Sequence, residues 1–242
     1  MCGRYSLTTP VEGLRRVFGF LEQPNLAPGY NIAPTQQVAA LRLGADGERH
    51  FVRLRWGLVP AWAKDLSIGA RMINARAESV AEKPAFRSAF RSRRCLVMAD
   101  GFYEWQKREK GPKQPYRVTL TDGGPFGFAG LWESWTDRSS GETVETCTIV
   151  TTDANELLAP IHHRMPVILA PEEVAAWLDA AAPTEAAQGL LKPCPAGVLV
   201  AYPVSTRVNK VANDDPGVIE PLEEETPEGA PGDGPEAQGR LL

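Results

Sequence analysis

Between Cys95 and Lys107 the chain reads CLVMADGFYEWQK: an apolar run, a turn-prone Asp100-Gly101 pair, then an aromatic run. Two extended segments with only Asp-Gly between them form a hairpin or a bulged bend, which commits this region to antiparallel sheet. Similar short apolar runs recur at VAALRL, FVRLRWGLV, PYRVTL, FGFAGLWESW, ETCTIVTT, MPVILA and VLVAYPVS. Helical spacing is confined to brief stretches. In PVEGLRRVFGF, Val11, Leu14, Val17 and Phe18 share one face, with Thr8 or Thr9 as N-cap and Pro10 in the first turn. A helix is expected from Pro84, with Phe86 and Phe90 on an apolar face and Arg87 and Arg91 on a basic one. Short helices are also expected over Asp153–Leu158 and from Pro171. GYNIAPTQQ reads as a loop, and residues 60–79 as irregular. The pattern predicts one α+β domain over residues 1–222, a largely antiparallel β-sheet or barrel with flanking helices. Residues 223–242, EEETPEGAPGDGPEAQGRLL, have almost no large apolar residue and are expected to be a disordered acidic tail.

With 43% apolar and 23% charged residues, 242 residues suffice for one large core or two small ones. No apolar run is long enough to span a membrane, and Arg15 and Arg16 break the first stretch where a signal peptide would need an apolar core. The expected setting is the cytoplasm. The four cysteines, Cys2, Cys95, Cys147 and Cys194, form no C-x-x-C pair, so neither zinc nor a redox motif is expected. Cys95 and Cys147 read as buried strand residues and Cys194 as a loop residue. Charge is unevenly spread. Residues 1–110 carry 18 Lys and Arg against 10 Asp and Glu, a local net of +8 in a chain of net −4. A local basic excess suits a polyanion, and equally a solvated basic face.

Cys2 stands directly behind Met1. Initiator methionine is removed when the next residue is small, which would leave an α-amine and a thiol on adjacent carbons. Their ordinary pKa values, about 7.7–8.0 and about 8.5, leave both partly nucleophilic at neutral pH. Of the histidines, His50 reads as an exposed strand residue. His162 and His163 lie in PIHHRMP; if extended, they point to opposite sides, so one of them enters a given site, as a proton-transfer group or as a structural residue. Glu104, between Tyr103 and Trp105, is either an acid with raised pKa among aromatics or a solvent-facing strand residue. Asn74 either caps a turn or holds a polar substrate. Trp56, Trp62 and Trp105 are core residues or stacking platforms for bases.

Eight stretches, in order, carry a family likeness: MCGRYSL, YNIAPTQ, RWGLVPAWAKD, INARAES, RCLVMADGFYEW, TTDAN, IHHRMPVIL and VNKVANDDP. From Cys2 to about Pro221 the chain resembles the SRAP family of abasic-site processing proteins. The resemblance implies self-crosslinking to abasic sites in single-stranded DNA, without cofactor or metal, by a monomer that associates with the nucleoid when bound to DNA. The Cys2 amine would condense with the opened sugar aldehyde, and the thiol would close a thiazolidine ring. The resemblance also implies the supporting roles. Asn74 would orient Cys2 or the sugar, Glu104 would shuttle protons and hold the amine, and His162 would act as a general acid and base. Arg4, Arg76 and Arg164 would contact phosphates, and Trp105, with Trp62, would stack on bases. His163 stands where the family often carries aspartate, so its role stays open.

Three alternatives remain at this level. A class II amidotransferase also exposes an N-terminal cysteine. A thiol peptidase would use Cys2, His162 and Glu104. A plain single-stranded DNA binder would need no chemistry at all.

Overall fold

The computed structural model describes residues 2–222. The expected acidic tail, 223–242, lies outside the described residues. Along the chain come β1 (Tyr5–Leu7), α1 (Val11–Phe18), β2 (Gly29–Ile32), β3 (Gln37–Leu43) and β4 (Arg49–Trp56). β5 (Asn74–Arg76), α2 (Arg87–Ser92), β6 (Arg94–Ala99), β7 (Gly101–Gln106) and β8 (Gln114–Leu120) follow. The long strands β9 (Phe126–Thr136) and β10 (Thr143–Asp153) precede β11 (Arg164–Pro166), β12 (Ile168–Leu169), α3 (Glu173–Leu178), α4 (Thr184–Gly189) and β13 (Leu199–Pro203).

Five strands close on themselves. β10 pairs with β4, β4 with β3, β3 with β6, β6 with β9, and β9 returns to β10. Only the β4–β10 contact within this ring is parallel. Closure removes the free edges an open sheet would expose. Beyond the ring, the far end of β10 pairs with β5 and β11. A second, antiparallel sheet runs β13-β8-β7-β1-β2. The architecture is the expected α+β domain, mostly antiparallel, with a barrel and short helices.

The core forms where the two layers meet. Tyr5 of β1 packs 5.4 Å from Trp56 of β4 and 5.8 Å from Phe128 of β9, ring centroid to centroid. Phe102 of β7 meets Phe128 at 6.1 Å. Tilted and edge-on pairs of this kind add about 0.5–1.5 kcal/mol each beyond the area they bury. Trp56 is fully buried and donates its indole N–H to the Ile73 carbonyl, so it is core and not a stacking platform.

Asp100-Gly101 proves to be the bend and not a hairpin: β6 belongs to the barrel and β7 to the second sheet. The bend is cemented by a carboxylate. Asp100 is buried and accepts from the amides and hydroxyls of Thr8 and Thr9, from Ser6 Oγ at 2.8 Å, and faces Arg117 Nη2 at 3.4 Å. Thr8 and Thr9 therefore do not cap α1; Pro10 stands at that position with no side-chain cap. Gly101 is required by close approach, since a Cβ there would lie 2.7 Å from Arg117 Nε. Gly57 and Gly69 meet backbone to backbone in the same way, with a Cβ on Gly57 only 2.6 Å from the Gly69 carbonyl oxygen.

Other expectations needed correction. The helix expected over Asp153–Leu158 is absent: Asp153 ends β10, and residues 156–161 only turn, since Pro160 has no N–H to follow the Ala159 N–H to Asn155 carbonyl bond. The loop GYNIAPTQQ contributes β2, whose pairing with β1 is long-range and unmarked by local pattern. MPVILA splits into β11 and β12, with Val167 bridging Val150 and Ala129. α2 does carry Phe90 inward and Arg87 and Arg91 outward. Cys95 and Cys147 are fully buried strand residues.

Candidate active site

The segment Cys2–Arg4 leads into β1 and runs antiparallel to β7. Tyr5 is opposite Phe102, and the Tyr103 N–H donates to the Arg4 carbonyl at 3.0 Å. Continuing that register brings Gly3 and Cys2 alongside Glu104 and Trp105. Cys2 is fully buried, and its thiol accepts from the Arg4 backbone N–H. Burial and the Glu104 charge push the thiol well above its ordinary value.

Alternation along β7 resolves where Glu104 points. Phe102 joins the main core, whereas Tyr103 and Trp105 pack on the other face, against Val204, Val208 and Ile219. Glu104 shares the Phe102 face and is 2% exposed. Burial raises its carboxyl to about 7. His162 Nδ1 lies 4.0 Å from Glu104 Oε2. That nitrogen also meets the Arg164 backbone, 3.0 Å from its N–H nitrogen and 3.2 Å from its carbonyl oxygen, which fixes the ring's orientation. Burial pushes His162 below the ordinary histidine value, toward the neutral form.

The histidine pair departs from expectation. Residues 161–163 turn, so the two rings do not point apart; they stack at 4.5 Å between centroids. His163 lies exposed against the half-buried His162 ring.

Asn74 sits on β5 opposite Ile149 and caps no helix. Its Nδ2 donates to the Ile73 carbonyl, while Oδ1 is buried with no acceptor role filled among the described residues. Arg76 is exposed at the end of the same strand. Arg164 is placed differently from the phosphate contact the resemblance implied. It is buried, pairs Glu78 at 2.8 Å and Asp153 at 2.7 Å, and donates to the Thr151 carbonyl. Its charge is already matched inside the chain, and the side chain ties the β5 end to the histidine turn.

Arg4 lies over Trp105 with its guanidinium carbon 6.0 Å from the ring centroid, and donates to Asn31 Oδ1 at 2.7 Å and the Val208 carbonyl at 2.8 Å. Trp105 is partly exposed and donates its indole N–H to Asn209 Oδ1 at 2.7 Å. Trp62 is 57% exposed and sits on a loop anchored by its neighbour Ala63, whose carbonyl accepts the Trp135 indole N–H.

Sequence reasoning assigned no role to Asn31 or to VNKVANDDP. Buried Asn31 turns its Nδ2 to the carbonyls of Val208, Lys210 and Asn213, and Asp214 Oδ1 accepts the backbone N–H groups of Tyr30 and Asn31. The C-terminal turn thereby clamps Arg4 and Trp105. A polar residue inside the apolar register of β2 was the only local sign of this.

Among the described residues no group of three or more His, Cys, Asp or Glu could hold a metal, and no helix is long and apolar enough to cross a membrane.

The chain is similar to several known proteins. It is 43% identical over 225 residues to Abasic site processing protein YoqW of Bacillus subtilis, covering 91% of this chain and 99% of that one. It is 33% identical over 266 residues to Abasic site processing protein HMCES of Gallus gallus, covering 92% of this chain and 78% of that one. A crystal structure of a protein from Bacteroides thetaiotaomicron superimposes with a TM-score of 0.82 at 28% identity, covering 91% of this chain and all of that one. Residues 1–211 match the family model described as SOS response associated peptidase, as the eight motifs led us to expect, and the chain belongs to the SRAP family.

Proposed function

We propose that this chain processes abasic sites in single-stranded DNA by crosslinking itself to them through Cys2. The observation that carries the reading is the placement of Cys2 beside a buried carboxyl held near neutrality, with His162 4.0 Å from that carboxyl. The relatives named for abasic-site processing support the substrate.

Removal of Met1 places the α-amine on Cys2. The amine adds to the aldehyde carbon of the opened sugar, and loss of water leaves an imine. The thiol then adds across the C=N bond: sulfur bonds to carbon and its proton ends on nitrogen, closing the five-membered ring. One water is released in all. A carboxyl titrating near 7 serves both halves. Protonated, it assists departure of water; ionised, it takes the proton from the attacking thiol. The thiol needs that help because burial holds it protonated. Neutral His162, its Nδ1 edge held by the Arg164 backbone, exchanges a proton with the sugar oxygen. Asn74 Oδ1, buried and unbonded, suits a donor on the sugar or the amine. Ring closure is intramolecular, and well-placed groups of this kind reach effective molarities on the order of 10⁵ M. Arg4, Arg76, Trp62 and Trp105 would hold the flanking strand.

A thiol peptidase needs a thiolate–imidazolium pair. Cys2 is pushed up and His162 down, so both sides disfavour that pair.

The test is a denaturing gel. The mature protein is mixed with an abasic single strand, an undamaged strand and an abasic duplex, beside a Cys2→Ala control. We expect a surviving band with the abasic single strand alone, requiring Cys2, and a thiazolidine mass in its N-terminal peptide. No band from protein whose N-terminus is confirmed as Cys2 would defeat the reading.

A further inference from the structure

The connection between β7 and β8, KREKGPK, carries Lys107, Arg108, Lys110 and Lys113 against the single acid Glu109. The base of this connection is fixed. Gln106 and Gln114 are the last paired residues, and Gln106 Nε2 donates to the Pro160 carbonyl at 3.2 Å, just before the histidine turn. Buried Gln114 accepts from Arg108 Nη2 and donates to the carbonyls of Pro115 and Val204, each at 2.9 Å. The loop is thus rooted in the wall that holds Trp105, Glu104 and His162.

Its lysines are not used by the fold. Lys107, Lys110 and Lys113 are exposed, and among the described residues none has an ion-pair or hydrogen-bond partner. Lys107 and Lys113 follow the terminal Gln106–Gln114 pair on the two arms of the β7–β8 hairpin, where like charges face each other and cost stability. The charge of Lys113 reaches both Glu104 and His162. Cations that make no ion pair among the described residues, on a fixed root at the edge of the candidate site, suit an anion from outside the chain.

We propose that residues 107–113 form a phosphate-binding arm, with Lys113 seating a DNA backbone phosphate beside Glu104 and His162. This rests on the crosslinking reading above and names a contact that the reading did not contain. A single-stranded backbone running past Trp105 presents a phosphate at every nucleotide. An exposed ammonium on a short loop meets such a phosphate as a point charge, without demanding a base. The arm therefore adds affinity without sequence preference. Lys113 also brings positive charge to the proton-transfer pair, so its loss would move the titration of Glu104 and His162 upward.

The experiment measures equilibrium binding of a fluorescent 15-nucleotide single strand carrying a tetrahydrofuran abasic mimic, which cannot form an imine. Wild type, Lys113→Ala, Lys113→Arg and the triple variant Lys107→Ala/Lys110→Ala/Lys113→Ala are titrated at several salt concentrations. One phosphate contact contributes about 0.7 to the slope of log affinity against log salt for a single strand. Lys113→Ala is expected to weaken binding several-fold at low salt and to lower the slope by about 0.7; Lys113→Arg should restore both, and the triple variant should lower the slope by about 2. Crosslinking of the true abasic strand by Lys113→Ala should recover at saturating protein. Unchanged affinity and slope in Lys113→Ala, with wild type crosslinking normally, would overturn the arm alone. Wild type that neither binds the mimic nor crosslinks would overturn the crosslinking reading and the arm together.

Discussion

Replacing Glu104 with glutamine tests whether the buried carboxyl is held near neutrality. The side chain is 2% exposed on β7, and its carboxyl is raised to about 7. An unfolded glutamate titrates near 4.3, and each pH unit between the two values corresponds to about 1.4 kcal/mol, so the difference amounts to about 4 kcal/mol, of which about 1 is already lost by pH 5. The folded chain prefers the protonated acid. Stability is therefore full below about pH 4.5, declines as pH rises toward 7, and then stays low. Glutamine has nearly the same shape and never ionises. Glu104→Gln should match wild type near pH 5 up to a constant offset and gain about 3 kcal/mol on it by pH 8. In urea, with a slope of about 2–3 kcal/mol per molar for a domain this size, that is a relative midpoint shift of roughly 1 M between the two pH values. The same variant should lose crosslinking. Equal midpoint differences at pH 5 and pH 8 would refute the argument, because they would mean that Glu104 titrates alike in the folded and unfolded chain.

Three further outcomes follow from the geometry. Asp100→Ala leaves Arg117 buried without its carboxylate and strips the bonds to Ser6, Thr8 and Thr9; it should cost about 3–5 kcal/mol in urea denaturation, and a loss under about 1 kcal/mol would show the bend is held by packing alone. Trp62→Ala removes an exposed ring from an anchored loop; stability should stay within about 0.5 kcal/mol of wild type while single-strand affinity, read by anisotropy, falls by about 1–3 kcal/mol. Truncation after Leu222 removes six acids and one base, and should tighten binding to undamaged single strands at low salt with the gain vanishing at high salt; unchanged affinity would leave the tail a solubility role.

Local reading reached as far as local physics extends. The apolar runs became strands because their side chains fill a closed barrel; the helix expected from Pro84 begins only at Arg87, so Phe90 is buried from within it and Phe86 from the residue just before it. The Asp100-Gly101 pair announced a change of direction but not which one. That choice was made by long-range pairing: β6 finds its partners in β3 and β9, and β7 finds its own in β1 and β8. Thr8 and Thr9 have the chemistry of helix caps, yet they sit within reach of a buried carboxylate ninety residues away, and a charged acceptor outcompetes a helix end. Arg164 looked like a phosphate ligand because arginine suits phosphate, and it equally suits Glu78 and Asp153, which the fold brings to it.

The sequence by itself determined the sheet-rich class, the buried strand cysteines and the family, and it singled out Cys2 because only the residue behind Met1 can join an amine to a thiol. Only the tertiary structure decided that Glu104 faces inward, that His162 stands 4.0 Å from it, and that the two histidine rings stack. Strand alternation allows a side chain two directions and is silent on which one is dry. The answer came from β1 pairing with β7 across about a hundred residues, a contact that desolvates one carboxyl and so sets the chemistry it can perform.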